Sequence, residues 1–485
     1  MKKNLNKSIK VNFFYNLLLK MLNILFPLMI FPYVARILSA EGIGKVDFSM
    51  SIIQYFILIS QVGIPTYAIR ECARQRDNIE KLTKTVQEIL IINVVMIFLA
   101  YTMFVITLFS VGKLQNYENL LIIMSFSIIT TNIGIEWFYQ AIEEYKYITI
   151  RSIVVKLFSL VLVFTLIRQE SDYVIYGFIT VLSISLNNIY NFVHANKHIT
   201  LFKKLTNYSF KRHIKPIMML FAMSLSISIY TNLDKVMLGF ISGDRSVGLY
   251  VAANKMILVV LAFVTSLGAV LLPRMSYYIE NKAYKERNKL INKALDFILL
   301  VSIPAAIGIF MLAEPIITLF AGNDYIEAVS TIRIISPTIV FVALSNLIGI
   351  QILVSHGKEK ITLFSTIAGA LINFILNLIL IPKFQQDGAA TGTLIAEVVV
   401  ALIQVIFAYS YIKGNINHKN LLTYLFGGGL IIIICISINL IDCPLIIRTL
   451  LSLCTSSIVY FVFLYCIKNQ LVYEFVNRLI VKFRN

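Results

Sequence analysis

The chain has 485 residues, of which 58% are hydrophobic and only 14% charged, with a net charge of +18. Soluble domains run at roughly 45–50% apolar and 25% charged, so a water-soluble globular protein is excluded. The basic excess does not point to nucleic acid, because the Lys and Arg residues lie between long apolar runs, where membrane topology explains them better.

A bilayer core needs about 20 apolar residues per helix. Runs of that kind occur near 12–37, 48–70, 85–110, 119–141, 147–167, 173–194 and 216–240. They continue near 247–272, 293–313, 328–354, 361–382, 389–412, 421–441 and 445–467. The predicted fold is an all-α polytopic membrane protein with about fourteen transmembrane helices. The first run extends from Val11 to about Leu38, too long for the ~7–15-residue core of a cleavable signal, and so reads as a span that stays. The last stretch, Gln470–Asn485, puts Leu471, Phe475, Leu479 and Phe483 on one helical face, and the two readings are a helix lying on an anionic membrane surface and a frayed tail. Cys72, Cys435, Cys443, Cys454 and Cys466 form no CxxC pair and read as small packing residues.

If the N-terminus is cytoplasmic, the segments on that side hold 31 Lys and Arg, the opposite side holds 7, and 5 lie within helices. That bias is what the positive-inside rule requires of a correct register. It predicts a multi-pass membrane protein with both termini cytoplasmic.

Ile43-Gly44 after the first run resembles Val247-Gly248 after the seventh, an offset of 204. Tyr147-Ile148-Thr149-Ile150-Arg151-Ser152 resembles Lys360-Ile361-Thr362-Leu363-Phe364-Ser365, an offset of 213. Both offsets place span one on span seven and span five on span eleven. Six spans is an even number, so the repeat is parallel, related by an axis along the membrane normal. The expected organisation is an N-terminal six-helix lobe over 1–200 and a C-terminal six-helix lobe over 201–412. Two further helices with the amphipathic tail occupy 413–485.

A charge at the bilayer centre costs about 2.5–3.5 kcal/mol on insertion scales. Lys20, Lys156, Lys255 and Glu397 are deep in their runs. The lysines stand roughly eight or nine residues in, ~12 Å of helix rise. Asp234, Lys235 and Arg333 lie about one turn from the outer side, and Glu136 and Asp296 about as far from the inner side. Near an end such residues snorkel, which suffices for Lys235 and Asp296. For Lys20, Lys156 and Lys255, joined by Arg333, the readings are a cation-lined cavity or structural pairs with Glu136, Asp234 or Glu397. A cationic cavity selects an anion, and Lys and Arg both suit phosphate. Asp234, Glu397 and Glu136 are candidates for carrying a coupling H⁺ or Na⁺, or for structural ion pairs.

The sequence holds no GxxxxGK[ST], HExxH or GxSxG, so no P-loop, zincin or nucleophile-elbow chemistry is predicted. The five histidines, 194, 198, 213, 356 and 418, fall in or beside the loops assigned to the cytoplasm. The expectation is a non-enzyme with no cofactor and no metal.

Several stretches resemble the Wzx-type polysaccharide (O-antigen and capsule) repeat-unit flippases of the multidrug/oligosaccharidyl-lipid/polysaccharide exporter superfamily. They are Pro32-Tyr33-Val34-Ala35-Arg36-Ile37-Leu38, Gln54-Tyr55-Phe56, Gly63-Ile64 with Arg70, and the block from Ile135-Glu136-Trp137-Phe138 to Glu144. Tyr230 to Gly239, with Leu233-Asp234-Lys235 at its centre, Asn373 to Pro382, and Gly388 to Thr393 with Glu397 complete the set. The resemblance implies a V-shaped, MATE-like fold of two lobes working by alternating access. It implies an undecaprenyl-diphosphate-linked oligosaccharide as the carried partner, in contact with membrane lipid, and a polysaccharide polymerase and chain-length regulator as protein partners. The family's cationic central cavity agrees with Lys20, Lys156, Lys255 and Arg333. Three rivals remain. A multidrug exporter of the same superfamily usually takes cations, against the basic excess here. A lipid II flippase is chemically close. A membrane glycosyltransferase or polymerase usually carries a large outer loop, and the outer loops here are short.

Overall fold

The computed structural model describes residues 9–202, 207–265, 268–414 and 418–484. Lys2, Lys3, Lys7, Lys203 and Lys204, counted in the charge bias, lie outside the described residues, as do the side chains of Lys10, Leu479 and Phe483. Among the described residues every regular element is helical.

In chain order the helices are α1 (Ile9–Gln61), α2 (Ile64–Gln75), α3 (Ile79–Ser110), α4 (Gly112–Gln115), α5 (Glu118–Ile133), α6 (Glu136–Ala141), α7 (Tyr145–Leu166), α8 (Tyr173–Ala195) and α9 (Lys211–Ile241). There follow α10 (Asp244–Thr265), α11 (Gly268–Glu280), α12 (Tyr284–Met311), α13 (Ala313–Phe320), α14 (Ala328–Ile335), α15 (Thr338–Ser345), α16 (Glu359–Ile412), α17 (His418–Asn439), α18 (Leu445–Cys466) and α19 (Gln470–Arg484). Between α15 and α16 the chain passes through a π-helical stretch, Asn346–Leu353.

Eleven helical stretches among the described residues are long and apolar enough to cross a membrane. Their outward faces carry bulky apolar side chains, such as Phe98 at 76% exposure and Ile406 at 69%, which only hydrocarbon solvates well. A single straight helix of 53 residues would run ~80 Å, more than twice a bilayer core. Accordingly α1 is broken at Ser39, where φ is 59° and ψ 177°. Likewise the 54-residue α16 is broken at Gln385, with φ 50°.

The chain divides into two compact units, Met1–Gly248 and Leu249–Asn485. In the first, α1 packs on α3, α5, α7 and α9. α1 and α7 run side by side in the same direction: the Thr149 hydroxyl donates to the Tyr15 carbonyl (3.0 Å), and the Tyr33 hydroxyl to that of Ile167 (2.9 Å). Spans one and five of an alternating membrane chain must be parallel in this way. The Glu-Trp-Phe block supplies core side chains here, with Trp137, Phe138 and Tyr139 clustered on Tyr67, Cys72 and Val86.

The glycines that marked the repeat meet in this unit. A Cβ on Gly44 would strike the carbonyl of Asp244, and one on Gly248 would strike that of Ala40. Each helix therefore offers its glycine to the backbone four residues before the other's. At the α1–α2 corner Gly63 takes φ 73°, and the backbone at Leu220–Phe221 of α9 leaves no room for a side chain there.

In the second unit α12 packs on α15 and α17, and α17 on α18. The Tyr460 hydroxyl donates to the Leu300 carbonyl at 2.9 Å, and Asn420 Nδ2 donates to Asp296 at 3.0 Å.

Candidate functional site

In the first unit, Lys156 projects from α7 and donates to Asn23 Oδ1 of α1 at 2.6 Å, with its ammonium 5.6 Å from the Phe26 ring centre. Lys20 is exposed on α1, three residues before Asn23 and so on the same helical face. The packing of α1 and α7 thus brings Lys156 onto Asn23, one helical turn along α1 from Lys20.

Glu136 takes a different partner. Its carboxylate pairs with Arg151 at 3.1 Å. Arg151 is only 7% exposed, and it also donates to Asn187 Oδ1 (2.9 Å) and to Asn191 Oδ1. A guanidinium so enclosed is held by three acceptors, as a buried charge requires. In the charge bias Arg151 belongs to the cations assigned to the cytoplasmic side. The signal for its burial is the Asn187–Asn191 pair, four residues apart in the apolar α8, which gives two amides on one face. Asp234 is 5% exposed on α9 and has interaction partners of its own.

A second buried network joins α2, α3 and α9. Glu88, fully buried, accepts from the Ser209 N–H (2.6 Å), from Arg212 (2.6 Å) and from His213 Nε2 (2.8 Å). The other ring nitrogen of His213 is hydrogen-bonded to the Tyr67 hydroxyl at 2.6 Å. His213 is thus a buried structural group in the first turn of α9, beside the loop that precedes it.

Beside α1, the Tyr117 hydroxyl donates to Asp244 at 2.7 Å. Burial, and then that carboxylate, push the phenol well above its ordinary pKa.

In the second unit, Lys255 and Glu397 are half-buried and both are engaged in interactions. Arg333 is exposed on α14, with its guanidinium 5.9 Å from the Phe310 ring centre. Phe310 and Asp296 are among the residues lining an apolar cavity of about 690 Å³. Its lining on α12 runs from Leu295 to Met311, ~24 Å of helix rise, so it is long enough to follow an alkyl or isoprenoid chain. Ile303, Val340, Phe341 and Leu425 are among its walls.

Among the described residues no group of three or more His, Cys, Asp or Glu side chains could hold a metal ion. What these sites can do is bind: cations on helical faces, a long apolar cavity and satisfied buried ion pairs.

A family model described as polysaccharide biosynthesis protein matches residues 9–279. The chain belongs to that family. A second model, MatE, matches residues 219–379. The chain is 27% identical over 408 residues to the putative O-antigen transporter of Escherichia coli (strain K12), covering 83% of this chain and 98% of that protein. Among solved structures it resembles a lipid II flippase MurJ in an inward closed conformation, with a TM-score of 0.75 at 16% identity, over 95% of this chain and 100% of the other. It also resembles an inward-facing MATE family multidrug transporter of the MOP superfamily, with a TM-score of 0.61 at 12% identity, over 83% and 98%. At those identities the two structures carry the fold alone, that of a multi-pass helical membrane protein. The relative is named a transporter, in line with the expectation of a non-enzyme.

Proposed function

We propose that the protein is a flippase. It carries an undecaprenyl-diphosphate-linked oligosaccharide repeat unit across the bacterial cytoplasmic membrane by alternating access. The observation that carries this reading is the match to an O-antigen transporter over almost that protein's whole length. Lys20, Lys156, Lys255 and Arg333 hold the anionic diphosphate. Support comes from Lys156 on Asn23, one helical turn from Lys20, since ammonium groups in a dry setting favour phosphate. The apolar cavity lined in part by Asp296 and Phe310 suits the isoprenoid chain.

Counting each of the two broken helices as two spans, and adding Lys211–Ile241 to the eleven long stretches, supports fourteen spans. An even count puts both termini on one side, and the Lys and Arg bias makes that side cytoplasmic. The lobes are assigned as 1–200 and 201–412, with 413–485 appended. Asp234, Glu397 and Glu136 are the candidates for H⁺ or Na⁺ coupling. Of these Glu136 is already paired with Arg151, which favours a structural role for it. A polymerase and a chain-length regulator are the expected protein partners.

Deletion of the gene, with complementation by wild type and by Lys20→Ala, Lys156→Ala, Lys255→Ala and Arg333→Ala at matched membrane levels, tests this. Loss of surface polysaccharide with accumulation of lipid-linked repeats inside, and failure of at least one variant to restore export, is expected. Intact polysaccharide with new sensitivity to cationic drugs would assign the chain to drug export instead. A second reading, lipid II transport, is favoured by the TM-score of 0.75 to a lipid II flippase. Rescue of cells depleted of their lipid II flippase would select it.

A further inference from the structure

A second basic site lies outside the apolar spans of the first unit. A pocket of about 560 Å³ opens between the end of α2, the start of α3 and the start of α9. Four cations line it, Arg74, Lys81, Lys84 and Arg212, against one carboxylate, Asp77. Arg74 has Glu71 nearby at 3.7 Å, and Arg212 is oriented from behind by the buried Glu88 at 2.6 Å. The ammonium groups of Lys81 and Lys84 have no ion-pair partner among the described residues. The pocket therefore holds an uncompensated positive charge, in a concave site with one guanidinium fixed in advance. The N-terminus of the 32-residue α3 adds its dipole, with Asn78 capping the Lys81 N–H at 3.0 Å.

From Ile89 to its end at Ser110 α3 carries no charged residue, and Ile89 is five residues or about 8 Å of rise beyond Lys84, which puts the pocket at the depth expected of lipid headgroups. The same helices leave bulky apolar residues exposed: Ile79 at 51%, next to Asn78 in the chain, and Ile214 at 53% and Met218 at 51%, on the side of α9 turned away from Arg212. Such side chains belong in acyl chains rather than in water. Phosphate in the pocket could come from a lipid or from solution, and these lipid-facing side chains on the helices that build the pocket favour the lipid.

We propose that the pocket between α2, α3 and α9 is a phosphate-binding site that takes the headgroup of an anionic phospholipid from the adjoining leaflet. Basic pockets between membrane helices bind anionic headgroups in this way. Occupancy would bridge Lys81 and Lys84 on α3 to Arg212 on α9, and so fasten the start of α9 to the α2–α3 corner.

The test uses the full chain purified in detergent and delipidated, then loaded with phosphatidylglycerol or phosphatidylcholine, with retained lipid measured by native mass spectrometry. Wild type should retain phosphatidylglycerol over phosphatidylcholine. Lys81→Gln with Lys84→Gln should lose that preference by roughly tenfold or more. The exposed pair Lys282→Gln with Lys285→Gln, in the other unit, removes the same charge and should leave the preference intact. Asp77→Asn, which touches no packing, should strengthen retention. Equal retention by the Lys81/Lys84 variant and wild type, or no gain from Asp77→Asn, would overturn the site. Displacement of phosphatidylglycerol by millimolar inorganic phosphate would overturn the lipid assignment and make the pocket a site for soluble phosphate.

Discussion

Replacing Gly44 by Ala is a sharp test of the close packing between the second half of α1 and the start of α10. A methyl group there would stand well inside the 3.0 Å that real Cβ atoms keep, and the atom it meets is the backbone carbonyl of Asp244. A side chain could rotate away, but a helix backbone must move as a body, by about an ångström, in a close-packed interior. Overpacking of this kind costs about 1–3 kcal/mol, and backbone as the obstacle puts the value at the upper end. Ala returns about 1 kcal/mol of helix propensity over Gly. The net expectation is a loss of about 2 kcal/mol, close to thirtyfold in the folding equilibrium. Gly248→Ala, facing the Ala40 carbonyl, should cost the same. The double variant should cost less than the two together, because the first displacement makes room for the second. Unfolding in detergent micelles, titrated with a denaturing surfactant, measures this. Gly308→Ala and Gly429→Ala provide the contrast: nothing stands within 4 Å of either Cβ, so propensity alone should act and stability should rise by up to about 1 kcal/mol. A Gly44→Ala protein as stable as wild type, alongside a gain at Gly308, would refute the packing.

Three further outcomes are expected. Glu88→Gln removes the carboxylate shared by Arg212 and His213; with Arg212 partly exposed, the loss should be about 2 kcal/mol, read as faster proteolysis between α8 and α9. Arg151→Met should be tolerated better than Glu136→Gln, because the first removes a buried charge and the second strands it; thermal melts of the two proteins and of the double variant check the order. Tyr460→Phe forfeits one buried hydrogen bond to the Leu300 carbonyl and should cost about 1 kcal/mol, seen as a small fall in melting temperature with no change in export.

Hydropathy alone was enough to establish a polytopic helical protein, because crossing hydrocarbon requires long apolar runs with internally satisfied backbones. Gly44 and Gly248, which stand out in the sequence as similar Gly-containing turns, are both points where one helix backbone closely approaches another. Sequence depth singled out Lys20 and Lys156 as well, since a lysine far from both ends of a span is visible by counting.

Which charges meet was decided only by the tertiary structure. Glu136 was equally available to a lysine, and it pairs with Arg151. Arg151 and His213 stand at or beside loops in the sequence, and both are buried in polar networks. Each residue along a helix turns its side chain by about 100°, so partners depend on the rotation and direction of neighbouring helices. No local pattern encodes that. Composition and order fixed what must cross the membrane; only packing chose that Lys156 would reach Asn23, that Glu88 would hold Arg212, and that four cations would share one pocket.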